Sequence, residues 1–340
     1  MPSNRRHSDR RTVLKGVASL PLASALTGLT APAVIAQDGW PKGNITMLVP
    51  FPPGGQADLA ARPVAEGLQR VLKTTVVVEN RGGAGGAVGN AAVAKAEPDG
   101  QTLLMTLSSL AVLPAAARLQ ERAPLYEVSQ LRPIARVLAD PTLLAVPASS
   151  PWKTVKDLVD DVKTRPGTVP YGSSGPYGTL HVAMEMFSAA AGLKMNNVNY
   201  RGAGPALNDL LGGQLQAMAS APGTLKQHVD EGRLRVLANW GSQRIPSFPD
   251  LPTFMELGYK DVEFYIWAGL FVPSATPEPI VARLRDAMRE VMTSKEVVGV
   301  FEKAGSPAAY QDAPEFAKFI EADSTRLIAA VQKIGKVAEQ

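Results

Sequence analysis

The feature that most constrains the fold is a recurring unit in which an apolar strand runs through a glycine-rich turn into a helix. Its first copy is MLVPFPPGGQADLAAR, residues 47–62. Along the chain, short apolar or β-branched runs alternate with stretches whose apolar residues recur at helical spacing. Strands that alternate with helices are typical of a parallel sheet covered by crossover helices. The sequence therefore predicts an α/β fold with parallel sheets.

The alternation falls into two successive blocks. The first block has the strands ITMLVPF, TTVVVEN and QTLLMTL, with QADLAARPVAEGLQRVL as a helix between the first two. The second block has the strands TLLAVPA and RLRVLANWG and the helix TVKDLVDDVKTRPG. Between them, TVPYGSSGPYGTLHVAMEMFSAAAG and MNNVNYRGAGPALNDLLGG each read as a strand, a glycine-rich turn and a helix. Two blocks with the same pattern predict two α/β domains.

The C-terminal part predicts a return to the first domain. VEFYIWAGLFVPSAT has the composition of a buried strand, and the amphipathic helices EPIVARLRDAMREVMTS and APEFAKFIEADSTRLIAAVQKIGKVA have no sheet of their own to cover. We expect domain 1 to comprise residues 37–142 and 262–340, and domain 2 to comprise residues 143–261. Two strands would then cross between the domains as a hinge around a central cleft.

Residues 1–36 have the features of an export signal. Arg10 and Arg11 form a twin arginine, a mildly apolar stretch follows, and the segment ends in small residues up to Ala36. Ser, Thr, Gly and Pro interrupt the apolar stretch, which makes it a poor membrane span. We expect a twin-arginine signal peptide and a bacterial periplasmic location. The alternative is a basic tail followed by a helix.

The basic excess of the chain lies in that segment. The chain has 35 Lys and Arg against 31 Asp and Glu, and residues 1–36 hold five of the basic residues and one acid, which leaves 30 of each. A neutral body argues against nucleic-acid binding, because such proteins present a basic surface to the phosphates. The chain has no cysteine, so disulfides, thiolate catalysis and a lipid-modified cysteine are excluded.

The first glycine-rich turn can bind an anion. Ligands of open α/β sheets bind where the strands end, and the first amides of a helix are unpaired and carry the positive end of its dipole. Gly54 and Gly55 leave room for a carboxylate to approach these amides, while Pro52 and Pro53 restrict the turn. Asp58 is expected to cap the helix. The alternative is that the glycines serve turn geometry alone.

Two more turns repeat the device. YGSSGPYGT adds hydroxyl groups at Ser173, Ser174 and Thr179, and YRGAGPAL brings Arg201, which could instead form a surface ion pair. Amide-lined turns that face each other from two domains predict a site for a small anion.

Signals for enzymes are weak. RGGAGGAVGN has Gly83 and Gly85 but Val88 where the dinucleotide fingerprint needs glycine or alanine. GSSG lacks the spacing of a nucleophile elbow, no HExxH motif occurs, and His181 and His228 have no evident nucleophile to serve. We expect no enzyme, no metal and no cofactor.

Together these segments resemble the tripartite tricarboxylate transporter solute receptors, the Bug-type periplasmic binding proteins. The resemblance covers essentially the whole chain after residue 36 and rests on VPFPPGGQADLAAR, VENRGGAGGAVGNAAVAKAEPDGQTLL, VPYGSSGPYGTLHVAMEMF, VNYRGAGPALNDLLGGQLQAM, FPDLPTFMELGY and WAGLFVPSATP. It implies a type II periplasmic-binding-protein fold whose two α/β domains close over a small carboxylated ligand. Family ligands include amino acids, di- and tricarboxylates and aromatic acids.

The resemblance also implies a site and partners. One ligand carboxylate would be held by the turns around Gly54 and Gly55 and around residues 173–179, often through ordered waters. The expected ligand-binding residues are Phe51, Pro53, Gly54, Gly55, Gln56, Ser108, Ser109, Ser173, Ser174, Gly175, Thr179, Arg201, Gly202 and Ser220. The receptor, expected to be a monomer, would deliver its ligand to a membrane permease with large and small subunits.

One segment departs from the family pattern. After GGQLQAM the family usually has a Phe-Asp-Asn-like segment, whereas this chain has Ala219, Ser220 and Ala221. A missing aspartate suits a ligand without a cationic amine. The identity of the ligand stays open, as does a role as a sensor for a signalling kinase.

Overall fold

The computed structural model describes residues 39–337. The signal peptide predicted at residues 1–36 lies outside the described residues. Two sheets organise the rest, and we call each sheet with its helices a domain: domain 1 for the six-stranded sheet and domain 2 for the five-stranded sheet. The residue boundaries given above for the domains stay a prediction.

Domain 1 begins the described chain. Its first elements are β1 (Ile45–Val49), α1 (Gln56–Leu72), β2 (Val76–Asn80), α2 (Ala87–Ala94), β3 (Thr102–Leu107), α3 (Ser109–Leu119) and β4 (Leu131–Pro141). Helix α1 covers the residues predicted from the sequence, and its buried Ala57, Ala61, Val64 and Leu68 recur on one face. The local sequence pattern does not predict strand β4.

Domain 2 follows directly. Its elements are β5 (Leu143–Pro147), α4 (Val155–Thr164), β6 (Pro170–Ser173), α5 (Thr179–Ala191), β7 (Asn196–Asn199), α6 (Ala203–Leu211), β8 (Ala217–Ser220), α7 (Pro222–Asp230) and β9 (Leu234–Asn239). Helix α4 starts with a capping box in which Thr154 and Asp157 satisfy each other's backbone amides.

The chain then returns to domain 1. The returning elements are β10 (Tyr265–Pro273), α8 (Glu278–Thr293), α9 (Lys295–Ala304), β11 (Gln311–Asp312) and α10 (Ala313–Ile334). Helix α8 packs on α1, where Gly67 allows close approach because a Cβ there would lie 2.6 Å from Val291. Helix α10 packs on α3 and β4 and also reaches α5 of domain 2.

Both sheets are mixed, so the prediction of parallel sheets is wrong in part. The orders are β11-β4-β10-β3-β1-β2 and β7-β6-β8-β5-β9. Strands β1, β2 and β3 are mutually parallel, as are β6, β7 and β8, but β10 runs antiparallel to β3 and β5 runs antiparallel to β8. The reason is the crossing. A strand that arrives from the other domain runs in the opposite direction to the strands that end at the cleft.

Two crossings join the domains, as expected. Strand β4 continues through Thr142 into β5, and residues 240–264 lead from β9 to β10. Backbone hydrogen bonds pair the crossings, since Trp240 N donates to Thr142 O (2.8 Å) and Thr142 N donates to Phe264 O (3.2 Å). The domains pack into one compact unit.

Candidate functional site

A small cavity lies between the two domains where strands end and helices begin. Domain 1 and domain 2 both line it, through Phe51, Gly55, Gln56, Ala57, Leu107, Ile266, Ser174, Thr179, Leu180, Ala203 and Ser220. Its volume is about 10 Å³, room for about one water molecule. The domains must therefore separate before a larger molecule can enter.

The turn before α1 is braced within domain 1. Gly54 has φ of 83°, and its amide donates to Asp58 Oδ2 at 3.1 Å. Asn80 donates to the other carboxylate oxygen, and Arg62 forms an ion pair with Asp58 at 2.8 Å. Burial alone would raise the pKa of Asp58, but the hydrogen bonds from Arg62, Gly54 and Asn80 outweigh it and hold the pKa below its ordinary value. Asp58 thus closes the turn that precedes the helix, while Gly55 at the N-cap has no side-chain cap.

The first amides of α1 remain available. Gln56 N and Ala57 N donate to no acceptor among residues 39–337, and both residues line the cavity. Gly55 has φ of −91°, so the backbone does not require glycine there, and a Cβ would lie 3.6 Å from Ala203 Cβ of domain 2. A larger side chain at position 55 would therefore be limited by contact with domain 2 and not by the geometry of the turn.

The turn before α5 presents hydroxyl groups. Ser174 Oγ lines the cavity and accepts from Leu180 N at 3.4 Å, and Thr179 lines the cavity as the first residue of the helix. Ser173 instead donates to Asn199 Oδ1 at 3.1 Å. His181 Nδ1 accepts from Tyr177 N at 3.1 Å, and burial lowers the pKa of His181 to about 4, so the ring is neutral and holds the loop.

The turn before α6 lies directly against the first turn. A Cβ on Gly204 would lie 2.5 Å from the Pro53 carbonyl oxygen, and one on Gly202 would lie 2.8 Å from Pro52 Cδ. Glycine at these positions therefore allows the two domains to approach with backbone against backbone. The side chain of Arg201 is exposed.

Sequence reasoning missed Tyr177. Its hydroxyl donates to Gly335 O (2.8 Å) and accepts from Gln120 Nε2 (2.7 Å) and Val337 N (3.0 Å). This residue of the second turn is thereby tied to the end of α3 and to the C-terminal segment. No local pattern could have revealed it, because its partners lie far away along the chain.

Sequence reasoning also missed Asp140, at the end of β4. Gln56 Nε2 donates to Asp140 Oδ2 at 2.5 Å, and Ser306 also hydrogen-bonds the carboxylate. Burial raises the pKa of Asp140 to about 7, although the bonds from Ser306 and Gln56 act in the opposite direction. Ser306 Oγ accepts from Gly223 N of α7 at 2.9 Å, so the network reaches domain 2.

The structure gathers some of the predicted residues and not others. Six line the cavity: Phe51, Gly55, Gln56, Ser174, Thr179 and Ser220. Pro53 and Gly54 line the open groove beside it, and Ser108 and Ser109 lie behind it at the start of α3. Ser173, Gly175, Arg201 and Gly202 are not part of the lining. The fourteen residues stay a prediction as ligand contacts.

The N-termini of α1, α5 and α6 line the cavity, and no charged side chain lines it.

A larger groove, of about 680 Å³, lies between α5 and α10. Glu185, Lys260, Asp261 and Arg326 give this groove mixed charge, and no helix begins there. Within residues 39–337 there is no group of three or more His, Asp or Glu placed to hold a metal ion. None of the helices in that range is long and apolar enough to cross a membrane.

Comparison with known proteins identifies the family. A family model described as "Tripartite tricarboxylate transporter family receptor" matches residues 60–336. The chain belongs to this receptor family. Protein BugT of Bordetella pertussis is 34% identical over 311 residues, which are 92% of this chain and 94% of BugT. The resemblance noted in the sequence is confirmed.

Solved structures of this family share the fold. The periplasmic binding protein BugD superposes with a TM-score of 0.82 at 29% identity, over 87% of this chain and 98% of BugD. MatC from Rhodopseudomonas palustris, solved with bound malate, has a TM-score of 0.81 at 27% identity, over 86% of this chain and 99% of MatC. The predicted periplasmic-binding-protein fold with two α/β domains around a cleft is confirmed, and the family is one of solute receptors.

Proposed function

We propose that this receptor captures a small organic carboxylate between its two domains. The observation that carries the proposal is the convergence of three helix N-termini, from α1, α5 and α6, on a cavity without a charged side chain. Unpaired amides and helix dipoles favour an anion there. The malate in the related MatC supports a carboxylate as the anion.

Phe51, Gly55, Gln56, Ser174, Thr179 and Ser220 contact the ligand in this proposal. The free amides of α1 would bind one carboxylate oxygen, and the hydroxyls of Ser174 and Thr179 would donate from the opposite domain. A hydrogen bond to a charged group stabilises by about 1.5–3 kcal/mol. Two such bonds from each domain explain how the ligand would hold the domains together.

The wider role follows the family. The receptor would act in the periplasm after removal of residues 1–36, as a monomer without catalytic turnover, and would pass its ligand to a tripartite permease. Residues 37–142 and 262–340 would move as domain 1 against residues 143–261. Neither BugT nor the two solved structures named above supports a role with a signalling kinase.

A thermal-shift screen with matched pairs tests the carboxylate. Each acid in the panel, including L-malate, succinate and adipate, is compared with its uncharged amide. An acid at a hundred times its dissociation constant should stabilise the protein by about 2.7 kcal/mol, and its amide should not. The proposal is wrong if no acid raises the melting temperature, or if the amides raise it equally.

Scattering tests closure. Because the cavity has room for about one water molecule, ligand entry requires an open form. Adding the acid with the largest thermal shift should reduce the radius of gyration measured by small-angle X-ray scattering. An unchanged radius would contradict closure on the ligand.

A further inference from the structure

Asp140 is a buried carboxylate beside the hinge. It lies at the end of β4, two residues before Thr142, where the chain crosses into domain 2, and it is 3% exposed. Gln56 Nε2 donates to Oδ2 at 2.5 Å, and Ser306 also hydrogen-bonds the carboxylate. Both partners are neutral. A buried charge without an opposite charge is unfavourable, and binding a proton removes that charge.

Domain 2 covers this network. Gly223 N, in the first turn of α7, donates to Ser306 Oγ at 2.9 Å. A Cβ on Gly223 would lie 2.7 Å from Ser306 Oγ and 3.5 Å from Gln56 Oε1. The start of α7 therefore lies against both residues that hydrogen-bond Asp140, and α7 packs on α1 and α9 of domain 1. Separation of the domains would move α7 away and let water reach the carboxylate.

No charged side chain within residues 39–337 balances Asp140, and no charged group contributes to its pKa. The charged and titratable side chains on the surrounding elements have other partners or are exposed. They are Arg136 of β4, which donates to Ala309 O, Asp58 of α1, paired with Arg62, Lys226 and His228 of α7, bonded to Asp230 and Arg233, Tyr265 of β10, bonded to Ser242, and the exposed Lys295, Glu296, Glu302 and Lys303 of α9.

We propose that Asp140 binds a proton when the two domains close, so that the receptor takes up an organic carboxylate and a proton together. The inference rests on the proposed function, because closure on the carboxylate is the step that places α7 over the network. In the open form, water would solvate the ionised side chain. In the closed form, burial without a cation favours the neutral acid.

The sign of the pH dependence follows from this difference. Burial raises the pKa of Asp140 to about 7 from its ordinary 3.8, against the opposing effect of the bonds from Ser306 and Gln56. Between these two values the closed form holds more protons than an open form with a solvated carboxylate. Linkage then requires that the affinity for the acid rises as the pH falls through 7. From pH 8 to pH 6 the closed form passes from about one tenth to about nine tenths protonated, which predicts about tenfold tighter binding.

Calorimetry in two buffers of different ionisation enthalpy, Pipes and imidazole, measures the protons taken up at pH 7. The titrant is whichever of L-malate, succinate and adipate gives the largest thermal shift. The parent should take up about half a proton more per bound acid than Asp140→Asn, and the variant should lose the tenfold rise in affinity. Both proteins bind the same acid, so the difference between them excludes protons carried by the acid itself.

His228→Gln is the control, because His228 also lies on α7 and also titrates near neutral pH. Its pKa is lowered from 6.5 by burial and by Arg233. Glutamine keeps an acceptor for Arg233, and this variant should take up as many protons as the parent. Equal uptake by the parent and Asp140→Asn, or loss of the uptake in His228→Gln, would overturn the assignment to Asp140.

Ser306→Ala tests the assignment in the opposite direction. The Ser306 hydroxyl lowers the pKa of Asp140, so its removal should move half-maximal proton uptake to a pH above 7. The variant also loses the acceptor of Gly223 N, but the midpoint does not depend on the overall affinity. A midpoint that stays at pH 7 or falls would contradict Asp140 as the group that binds the proton.

Failure of the inference differs from failure of the proposed function. If an acid binds the parent with the same enthalpy in both buffers, after subtraction of the Asp140→Asn value, the proton inference is wrong and the carboxylate receptor stands. If no acid in the thermal-shift panel binds, the proposed function fails and the inference fails with it.

Discussion

The turn before α1 and the turn before α5 face each other across one cavity, and both join a strand to a helix through glycine. The first is held inside domain 1, where Asp58 accepts hydrogen bonds from the Gly54 amide and from Asn80 and forms an ion pair with Arg62. The second is held partly by the other domain, because Tyr177 bonds Gln120 and the C-terminal segment at Gly335 and Val337.

The two turns would therefore contribute to ligand binding in different ways. The bonds of the first turn do not depend on the distance between the domains, so its amides are preorganised whether the cleft is open or closed. If the domains open as proposed, the bonds of the second turn to domain 1 break when they separate. In that proposal, ligand binding and closure would be coupled through the turn before α5.

Gly55→Val should have the largest effect. The branched side chain would meet Ala203, 3.6 Å from the Cβ position, and cover the α1 amides. Losing two hydrogen bonds to a charged group weakens binding about a hundredfold or more. Calorimetry with the acid found in the thermal screen measures it.

Gly55→Ala is the matched control. Its Cβ makes only an ordinary contact, and φ of −91° suits alanine, so most of the affinity should remain. Circular dichroism should show both variants folded. If Gly55→Val binds like the parent, the anion is not held at the first turn.

Tyr177→Phe should have the next largest effect. The substitution removes a hydroxyl with three partners in domain 1 and leaves the ring against His181. A loss of about 1.4 kcal/mol of closing energy is about tenfold in affinity. The unliganded variant should also have a larger radius of gyration than the parent.

Tyr259→Phe serves as the comparison for that variant, because Tyr259 packs in an aromatic cluster of domain 2 with Phe187 and Phe254. It should bind like the parent. Equal affinity of Tyr177→Phe and Tyr259→Phe would show that the second turn is not held by closure.

Ser174→Ala should weaken binding by about tenfold, the lower end of what one hydrogen bond to a charged group contributes. It removes one hydroxyl from the cavity, while the amides of both helices remain. Ser173→Ala is the control, since Ser173 donates to Asn199 and does not line the cavity. Equal losses in the two variants would contradict a direct contact from Ser174.

Mild acid should weaken the second turn before the first, with the smallest effect. The folded-state pKa of His181 is lowered to about 4, so the stability from its neutral ring is complete above about pH 6.5 and is lost as the pH falls toward 4. Asp58 has a lowered pKa, and its contribution is lost only below its ordinary range. We expect a loss on the order of 1 kcal/mol between pH 7 and 5.

Melting temperatures of the parent and of His181→Gln measure this loss. Glutamine can accept a hydrogen bond from Tyr177 N but does not titrate. The melting temperature of the parent should therefore exceed that of His181→Gln by less at pH 5 than at pH 7. A constant difference between the two proteins would exclude His181 as the group responsible.

Local elements were predictable from the sequence because local spacing sets them. The limits of α1 follow from its apolar period, and the turns at Gly54 and Gly175 follow from glycines with φ of 83° and 104°. Strand β4 and helix α9 were not assigned. In β4, Arg132, Pro133 and Arg136 interrupt the apolar run, and pairing with β10 and β11 makes it a strand.

The sequence by itself determined the α/β alternation, the three glycine-rich turns and the family, since each depends on residues close together in the chain. The tertiary structure decided the direction of β5 and β10, the bond between Gln56 and Asp140, and the contacts of Tyr177. Those pairs are 84 and 158 residues apart. The physical reason is the double crossing between the domains. It brings distant segments to one cavity, and no local pattern encodes which side chains meet there.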